Sequence, residues 1–404
     1  VSSHASPVGG LVTRHLLWQL GVALVARLVL NTSRRMPYTF APTFSRGLGV
    51  PLTPITSLIA INQATGLLGP VFGPLADRWG YRFMLLLGLG LLAVGMLAGA
   101  AFPSYAALAV AVTLAGLAKI VFDPAVQAYV GEKVPYHQRG LAIGLIETAW
   151  AGSSLVGIPL VGLLIDWGGW QAPLWALGGL ALLSVGLVGR LIPGDHHPHA
   201  TSGGRASYGQ AWRRVKRRPA VWGMLAFTFL ACLANDAVFV IYATWLESGF
   251  GLTVVALGTA TIAIGVAELT AEGLVAGLAD RLGLRRATTG GAALVVLSYG
   301  LLPLAAHSLP LALVGLFVVF LAFEFSFVAA MSLFTEVLPA ARGTMMASNL
   351  AAAGAGRVVG ALVGGVAWLA AGLVGVSVVA AFASALALAC LIWGLSRWRS
   401  KSTG

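Results

Sequence analysis

GPLADRWGYR at residues 73–82 and AGLADRLGLR at residues 276–285 carry Leu, Ala, Asp, Arg, Gly and Arg at matching places. They lie 203 positions apart in a chain of 404 residues, an offset of half its length. Arg139-Gly140 and Arg342-Gly343 repeat at the same offset of 203. In a chain with 9% charged residues, two coincidences at one offset predict that a single unit occurs twice.

Composition says what that unit is made of. Hydrophobic residues are 58% of the chain, with 52 glycines and a mean hydropathy of +0.89, too apolar for a water-soluble surface. Apolar runs of about 20 residues, the length that crosses a bilayer as helix, recur throughout. The alternating strands of an outer-membrane barrel do not, and a helix satisfies its own backbone inside lipid. The runs predict twelve spans, centred near residues 25, 62, 93, 115, 152, 182, 232, 264, 297, 321, 356 and 384. The expected fold is an all-α membrane protein of twelve transmembrane helices in two pseudo-symmetric six-helix halves, residues 1–189 and 221–404, with a linker at 190–220. The polar start before the first span lacks a small-residue cleavage site, so that span is expected to be retained.

The net charge of +12 records topology rather than nucleic-acid binding. Nineteen of the 25 Lys and Arg residues fall at the two ends and in the even-numbered gaps between spans. By the positive-inside rule both termini and the linker are cytoplasmic. The linker's later part, residues 208–218, sets an aromatic pair among five cations and is expected to lie along anionic membrane lipids. Cys232 and Cys390 fall inside predicted spans, which excludes a disulfide framework or thiolate metal site. The HHPH run at 196–199 reads as a solvated loop. With no Walker-type phosphate loop and no nucleophile beside a base, neither an enzyme nor a metal or cofactor is expected.

GPLADRWGYR resembles the signature of the major facilitator superfamily, Gly-x-x-x-Asp-Arg-x-Gly-Arg-Arg/Lys, in the gap between spans two and three. The second copy occupies the gap between spans eight and nine. Tyr81 stands where the family usually has Arg, and Ala276 where the second copy would have its first Gly. VPYHQRG at 134–140 and GIPLVG at 157–162 are similar to segments of bacterial efflux members. The latter resembles the span-five motif of drug/proton antiporters, with Ile158 inserted between Gly157 and Pro159. The resemblance implies a substrate site between the halves, with spans one, four, seven and ten lining it. It also implies a cytoplasmic gate. Gly73, Asp77, Arg78, Gly80 and Arg82 would meet the start of span eleven at Arg342, while Asp280, Arg281 and Gly283 would meet span five. Glycine permits the tight turn, and Asp77 suits the positive end of a helix.

Ionisable residues inside spans are expensive and are functional candidates. Arg27 lies in span one, Lys119 and Asp123 in span four, Asp236 in span seven, Glu324 in span ten and Arg357 in span eleven. Lys119 and Asp123 share a helix face, and Pro124 leaves a carbonyl free. A desolvated acid without a partner can take up and release protons; if Arg357 pairs permanently with Asp236 or Glu324, that acid becomes structural. Glu147, Glu268 and Glu272 read as contacts between halves. Trp18, Tyr38, Trp245 and Trp393 read as interfacial belts, and Gly360 and Gly364 as a face for close helix packing. The expected function is a monomeric secondary active transporter of the bacterial inner membrane. It would work by alternating access as a proton-coupled antiporter exporting small organic or amphipathic compounds. The alternatives are a lysolipid or lipid-like substrate carrier or flippase, favoured by Arg27, Arg34 and Arg35 in span one, and a sugar or organic-acid importer.

Overall fold

The computed structural model describes residues 14–69, 72, 79–134, 136–194, 218–337 and 342–398. These are helical almost throughout, and no strand occurs among them. The first elements are α1 (Arg14–Thr39), the short α2 (Ala41–Leu48) and α3 (Leu52–Ala64), which tightens into a 3-10 turn over Thr65–Leu68. Next come α4 (Tyr81–Ala101), α5 (Tyr105–Lys133), α6 (Tyr136–Gly152), α7 (Ile158–Gly168) and α8 (Ala172–Leu191). Beyond the linker are α9 (Pro219–Phe239), α10 (Tyr242–Phe250), α11 (Val254–Leu274), α12 (Asp280–Leu282), α13 (Leu284–Leu301), α14 (Leu309–Val337) and α15 (Arg342–Ser396).

Ten helical segments among the described residues are long and apolar enough to cross a membrane, and Leu52–Leu68 is a shorter apolar helix. The chain is an integral, multi-pass membrane protein. The 55 residues of α15 cannot be one straight rod in a bilayer, since that length of helix spans about 80 Å. Ala371 (φ −149°, ψ 22°) and Gly372 (φ 57°, ψ −145°) break it into two. Gly372 has a repeat partner. Every positive-φ residue described is a glycine, and the six fall into pairs: Gly49 with Gly251, Gly80 with Gly283, and Gly169 with Gly372. The last two pairs have the 203-residue offset found in the sequence, so the chain turns in the same way at equivalent points.

Close packing follows the small residues. Gly356, Gly360 and Gly364 of α15 lie against the α9 backbone, where an added Cβ would fall on the carbonyl oxygens of Phe229, Leu233 and Ala237. In α7 and α11, Gly162 and Gly258 face one another, and a Cβ on Gly162 would come 3.5 Å from the Gly258 Cα. Between α6 and α7 a π-helical turn covers Ser153–Gly157, just before the inserted Ile158. The widened turn brings Gly157 onto the Thr32 side chain of α1. Overpacking a filled interface costs about 1–3 kcal/mol, and here the obstruction is backbone. Gly364→Val is therefore expected to lower thermal stability in detergent, while Leu362→Val, at a side chain 45% exposed on the same helix, leaves it nearly unchanged. Equal melting of the two variants would contradict this packing.

Candidate functional site

Ionisable side chains from α1, α5, α6, α9, α11, α14 and α15 converge at the middle of the helices. The first group is built on α1. The Arg27 Nε lies 3.1 Å from Asp123 Oδ1 and its Nη1 2.9 Å from Glu147 Oε2. The same Nη1 donates to the Ile146 carbonyl at 2.9 Å. Lys119 Nζ lies 2.8 Å from Asp123 Oδ2, one helical turn away on α5, and donates to Asn31 Oδ1 at 2.8 Å. Two cations and two acids thus neutralise one another by contact, as a buried group must. The cluster is not sealed, because Glu147 keeps 38% of its side-chain exposure.

A second group joins α1 to α6 and α11. Arg35 meets Glu268 in a two-pronged pair, Nη1 to Oε2 at 3.0 Å and Nη2 to Oε1 at 2.5 Å. Both side chains are 4% exposed. Arg35 also donates to the Ser154 hydroxyl and stacks 3.8 Å over the Trp150 ring. Trp150 Nε1 donates to Glu268 Oε1 at 3.1 Å. A bidentate charge pair of this kind is strong and directional, and a guanidinium over an indole adds to it.

The third group centres on Asp236, which is fully buried. The Tyr38 hydroxyl donates to its Oδ1 at 2.8 Å, Arg357 Nη1 donates to its Oδ2 at 3.3 Å, and Gln63 donates to the Tyr38 oxygen. Tyr38 stacks on Phe239 with centroids 4.4 Å apart. One residue further, the hydroxyls of Thr39 and Tyr242 meet at 2.6 Å across a separation of 203 residues, so two repeat partners touch each other. Arg46 of α2 and Glu247 of α10 pair at 2.7 Å, and Phe40 and Phe44 are fully buried. The far ends of α1 and α9, opposite the chain termini, are therefore closed upon one another.

Among the described residues, three charges at this depth have no contact counter-ion: Arg34, Glu272 and Glu324. Arg34 Nε donates to Asn62 Oδ1 at 3.0 Å and its Nη2 to Gln63 Oε1 at 2.5 Å, both neutral amides. Glu324 is half-buried and makes no hydrogen bond or ion pair among the described residues. Its electrostatic neighbours are Glu268, Arg357, Arg35 and Glu272.

Of the residues singled out in the sequence, Arg27, Lys119 and Asp123 come together, Asp236 and Arg357 form a pair, and Glu324 stands apart. Arg357 thus chooses Asp236 over Glu324. Gly73, Asp77 and Arg78 lie outside the described residues, as do the side chains of Asp280 and Arg342. Gly80 and Gly283 have the positive φ of a tight turn, at 80° and 81°, and Arg281 is exposed. Arg82 donates to the Gly189 carbonyl at the end of α8. Its repeat partner Arg285 donates to the Leu395 carbonyl at 2.9 Å. Each arginine caps a helix C-terminal end, that of α8 or of α15, since orphan carbonyls there attract cations.

Two aromatic assignments are corrected. Tyr38 and Trp245 are 2% and 4% exposed and pack inside the protein, whereas Trp18 and Trp393 are 64% and 46% exposed on the outer face. Sequence reasoning missed Tyr38, Asn62 and Gln63 as partners of the buried charges. The available signal was polar spacing on one helix, since Asn31, Arg34, Arg35 and Tyr38 recur at three- and four-residue steps.

An all-helical, multi-pass membrane protein with paired charges buried between its helices is the architecture of a membrane carrier. The chain belongs to the Major Facilitator Superfamily, whose profile matches residues 23–271 and again 225–403. It is 27% identical over 296 residues to an uncharacterised MFS-type transporter, YceJ, of Bacillus subtilis, covering 73% of this chain and 75% of that one. It is also 27% identical over 342 residues to a chloramphenicol resistance protein of Streptomyces lividans, covering 83% and 84%. Its fold is similar to the crystal structure of a mutant of the nucleoside transporter NupG, with a TM-score of 0.76, 12% identity and coverage of 95% and 100%.

Proposed function

We propose that the protein is a proton-coupled exporter of small organic or amphipathic compounds, working by alternating access between two six-helix halves. Residues 1–189 and 221–404 are the halves, and 190–220 link them. The paired glycines, the matched roles of Arg82 and Arg285, and the break at Gly372 support twelve spans in a duplicated layout. Similarity to a chloramphenicol resistance protein supports export over a lysolipid carrier or a sugar or organic-acid importer.

The observation that carries proton coupling is Glu324. Asp123 and Asp236 are each held by contact cations, so releasing either charge means breaking an ion pair. Glu324 has no such partner among the described residues and is partly exposed, so it can exchange a proton with water that enters when the halves part. The inward end of the pathway is the side of Glu147 and Glu272, and the far side is held shut by Arg35–Glu268, Tyr38–Asp236 and Arg46–Glu247. The loop at 73–82 and its copy at 276–285 close the opposite side in the alternate state. The carrier acts as a monomer among membrane lipids, with no cofactor. In vesicles loaded with a pH-sensitive dye, a transported compound is expected to move protons opposite to itself. Transport with no proton movement would leave a carrier but remove the coupling.

Both termini and the linker are cytoplasmic in this reading, in a bacterial inner membrane. A membrane-impermeant thiol reagent added to intact cells should miss Arg205→Cys and label His307→Cys, because the basic residues gather on the side of position 205. The reverse pattern would overturn the orientation.

A further inference from the structure

Among the described residues, the charges at mid-membrane cancel one another by contact with few exceptions. Arg27, Lys119, Asp123 and Glu147 form one neutral group, Arg35 and Glu268 a second, and Arg357 and Asp236 a third. Arg34, Glu272 and Glu324 remain. Arg34 is not a loose surface cation. Its two neutral acceptors are themselves fixed, Asn62 by donating to the Val112 carbonyl at 2.6 Å and Gln63 by donating to Tyr38. The guanidinium is therefore oriented before any ligand arrives. Its Nη1 has no hydrogen-bond partner among the described residues and is not among their buried, unpartnered atoms.

A guanidinium at this depth is strongly disfavoured unless a counter-charge meets it. Helix packing alone would be served as well by a neutral side chain. A guanidinium aimed by amides, with one edge open, is the arrangement that receives a carboxylate or phosphate. Arg34 has Arg357, Asp123 and Asp236 as electrostatic neighbours, and Arg357, paired with Asp236, is 20% exposed. Glu324 is likewise an electrostatic neighbour of Arg357. The unmatched charges are thus one cation on α1 and two acids, Glu272 on α11 and Glu324 on α14; Glu324 shares the neighbour Arg357 with Arg34, whereas the neighbours of Glu272 are Glu268, Glu147 and Arg27.

We propose that the substrate is amphoteric, with a carboxylate or phosphate held by Arg34 and an ammonium group held by Glu324. The inference rests on the exporter reading and gives it a substrate class. A purely anionic substrate would leave Glu324 uncompensated and repel it, whereas a purely cationic one would leave Arg34 without its counter-ion. The amphoteric substrate also fits exchange, because its ammonium end and a proton compete for Glu324. Bound across both halves, it draws them together as the carrier closes.

The test uses three matched probes on the full-length protein in nanodiscs, with Trp fluorescence as the binding signal. Trp150 stacks on Arg35, the sequence neighbour of Arg34, and serves as the reporter. The probes are zwitterionic para-aminomethylbenzoate, its cationic methyl ester and its anionic N-acetyl derivative, each with longer homologues of the methylene arm. The best zwitterion should bind at least about tenfold tighter than either matched single-charge compound, the scale of one desolvated charge pair. Arg34→Gln should reduce the zwitterion to the affinity of the ester without weakening the ester. Glu324→Gln should reduce it to that of the N-acetyl compound without weakening that one. Retained binding of the single-charge probes shows that each variant is folded, and Arg34→Lys should restore part of the preference. Zwitterion binding no tighter than the ester, or a preference unmoved by Arg34→Gln, overturns the inference. If cationic or neutral compounds still drive proton movement in vesicles, the exporter reading survives that failure; if none does, the reading falls with it.

Discussion

Glu324→Gln should abolish pH-driven accumulation of substrate in reconstituted vesicles, while counterflow persists once the substrate concentration is raised to offset weaker binding. For one-for-one exchange, a gradient of one pH unit supplies about 1.4 kcal/mol and sustains about a tenfold concentration ratio. The glutamine mimics the protonated acid and cannot release a proton, so that ratio should collapse to about one. Counterflow needs substrate binding and the conformational cycle but no proton release, so it should persist at saturating substrate. Asp123→Asn and Asp236→Asn are expected to behave differently, because each leaves a buried cation without its partner. Those variants should lose stability before they lose coupling. Full accumulation by the Glu324→Gln variant would move the coupling site elsewhere or remove it.

Glu268→Gln should open the far side. Removing one partner of a buried ion pair costs about 3–5 kcal/mol, because the remaining charge is stranded, and both partners here are 4% exposed. Opening the far side relieves that cost by admitting water to Arg35. The expected readout is labelling of Thr39→Cys, a position 1% exposed in the closed arrangement. A membrane-impermeant thiol reagent should reach it slowly in the parent and much faster with Glu268→Gln. The double replacement Arg35→Gln with Glu268→Gln should label more slowly than the single one, since no charge is stranded. Identical labelling in all three would mean that the pair only joins helices and holds no gate.

The all-helical membrane fold was legible in the sequence because hydrophobic length is written there locally. The repeated decapeptide set the offset of 203, and two of the three glycine pairs have it at turns whose geometry only a backbone can display. The charged residues of the cavity were legible as expensive and few, but their pairing was not. Whether Arg357 faces Asp236 or Glu324 depends on how α15 rotates against α9. That rotation is set by Gly356, Gly360 and Gly364 lying on the α9 carbonyls. Tyr38 was misread because a tyrosine near the end of a predicted span has the same local appearance at a lipid interface as in a closed contact between helices. Only Asp236, nearly 200 residues away in sequence, tells the two apart. The Arg35–Glu268 contact is similarly long-range, joining residues 233 apart.

Alternating access is tested most directly by two distances measured in one protein. Spin labels at positions 48 and 248 report the far side, beside the Arg46–Glu247 pair. Labels at 133 and 281 report the side of the termini, where both native residues are exposed. Cys232 and Cys390 are replaced by alanine so that only the chosen positions carry labels. With substrate and proton varied, the 48–248 distance should lengthen in those conditions where the 133–281 distance shortens, the two populations exchanging in opposite directions. Distances that stay fixed, or that lengthen together, would contradict a carrier that opens to one side at a time.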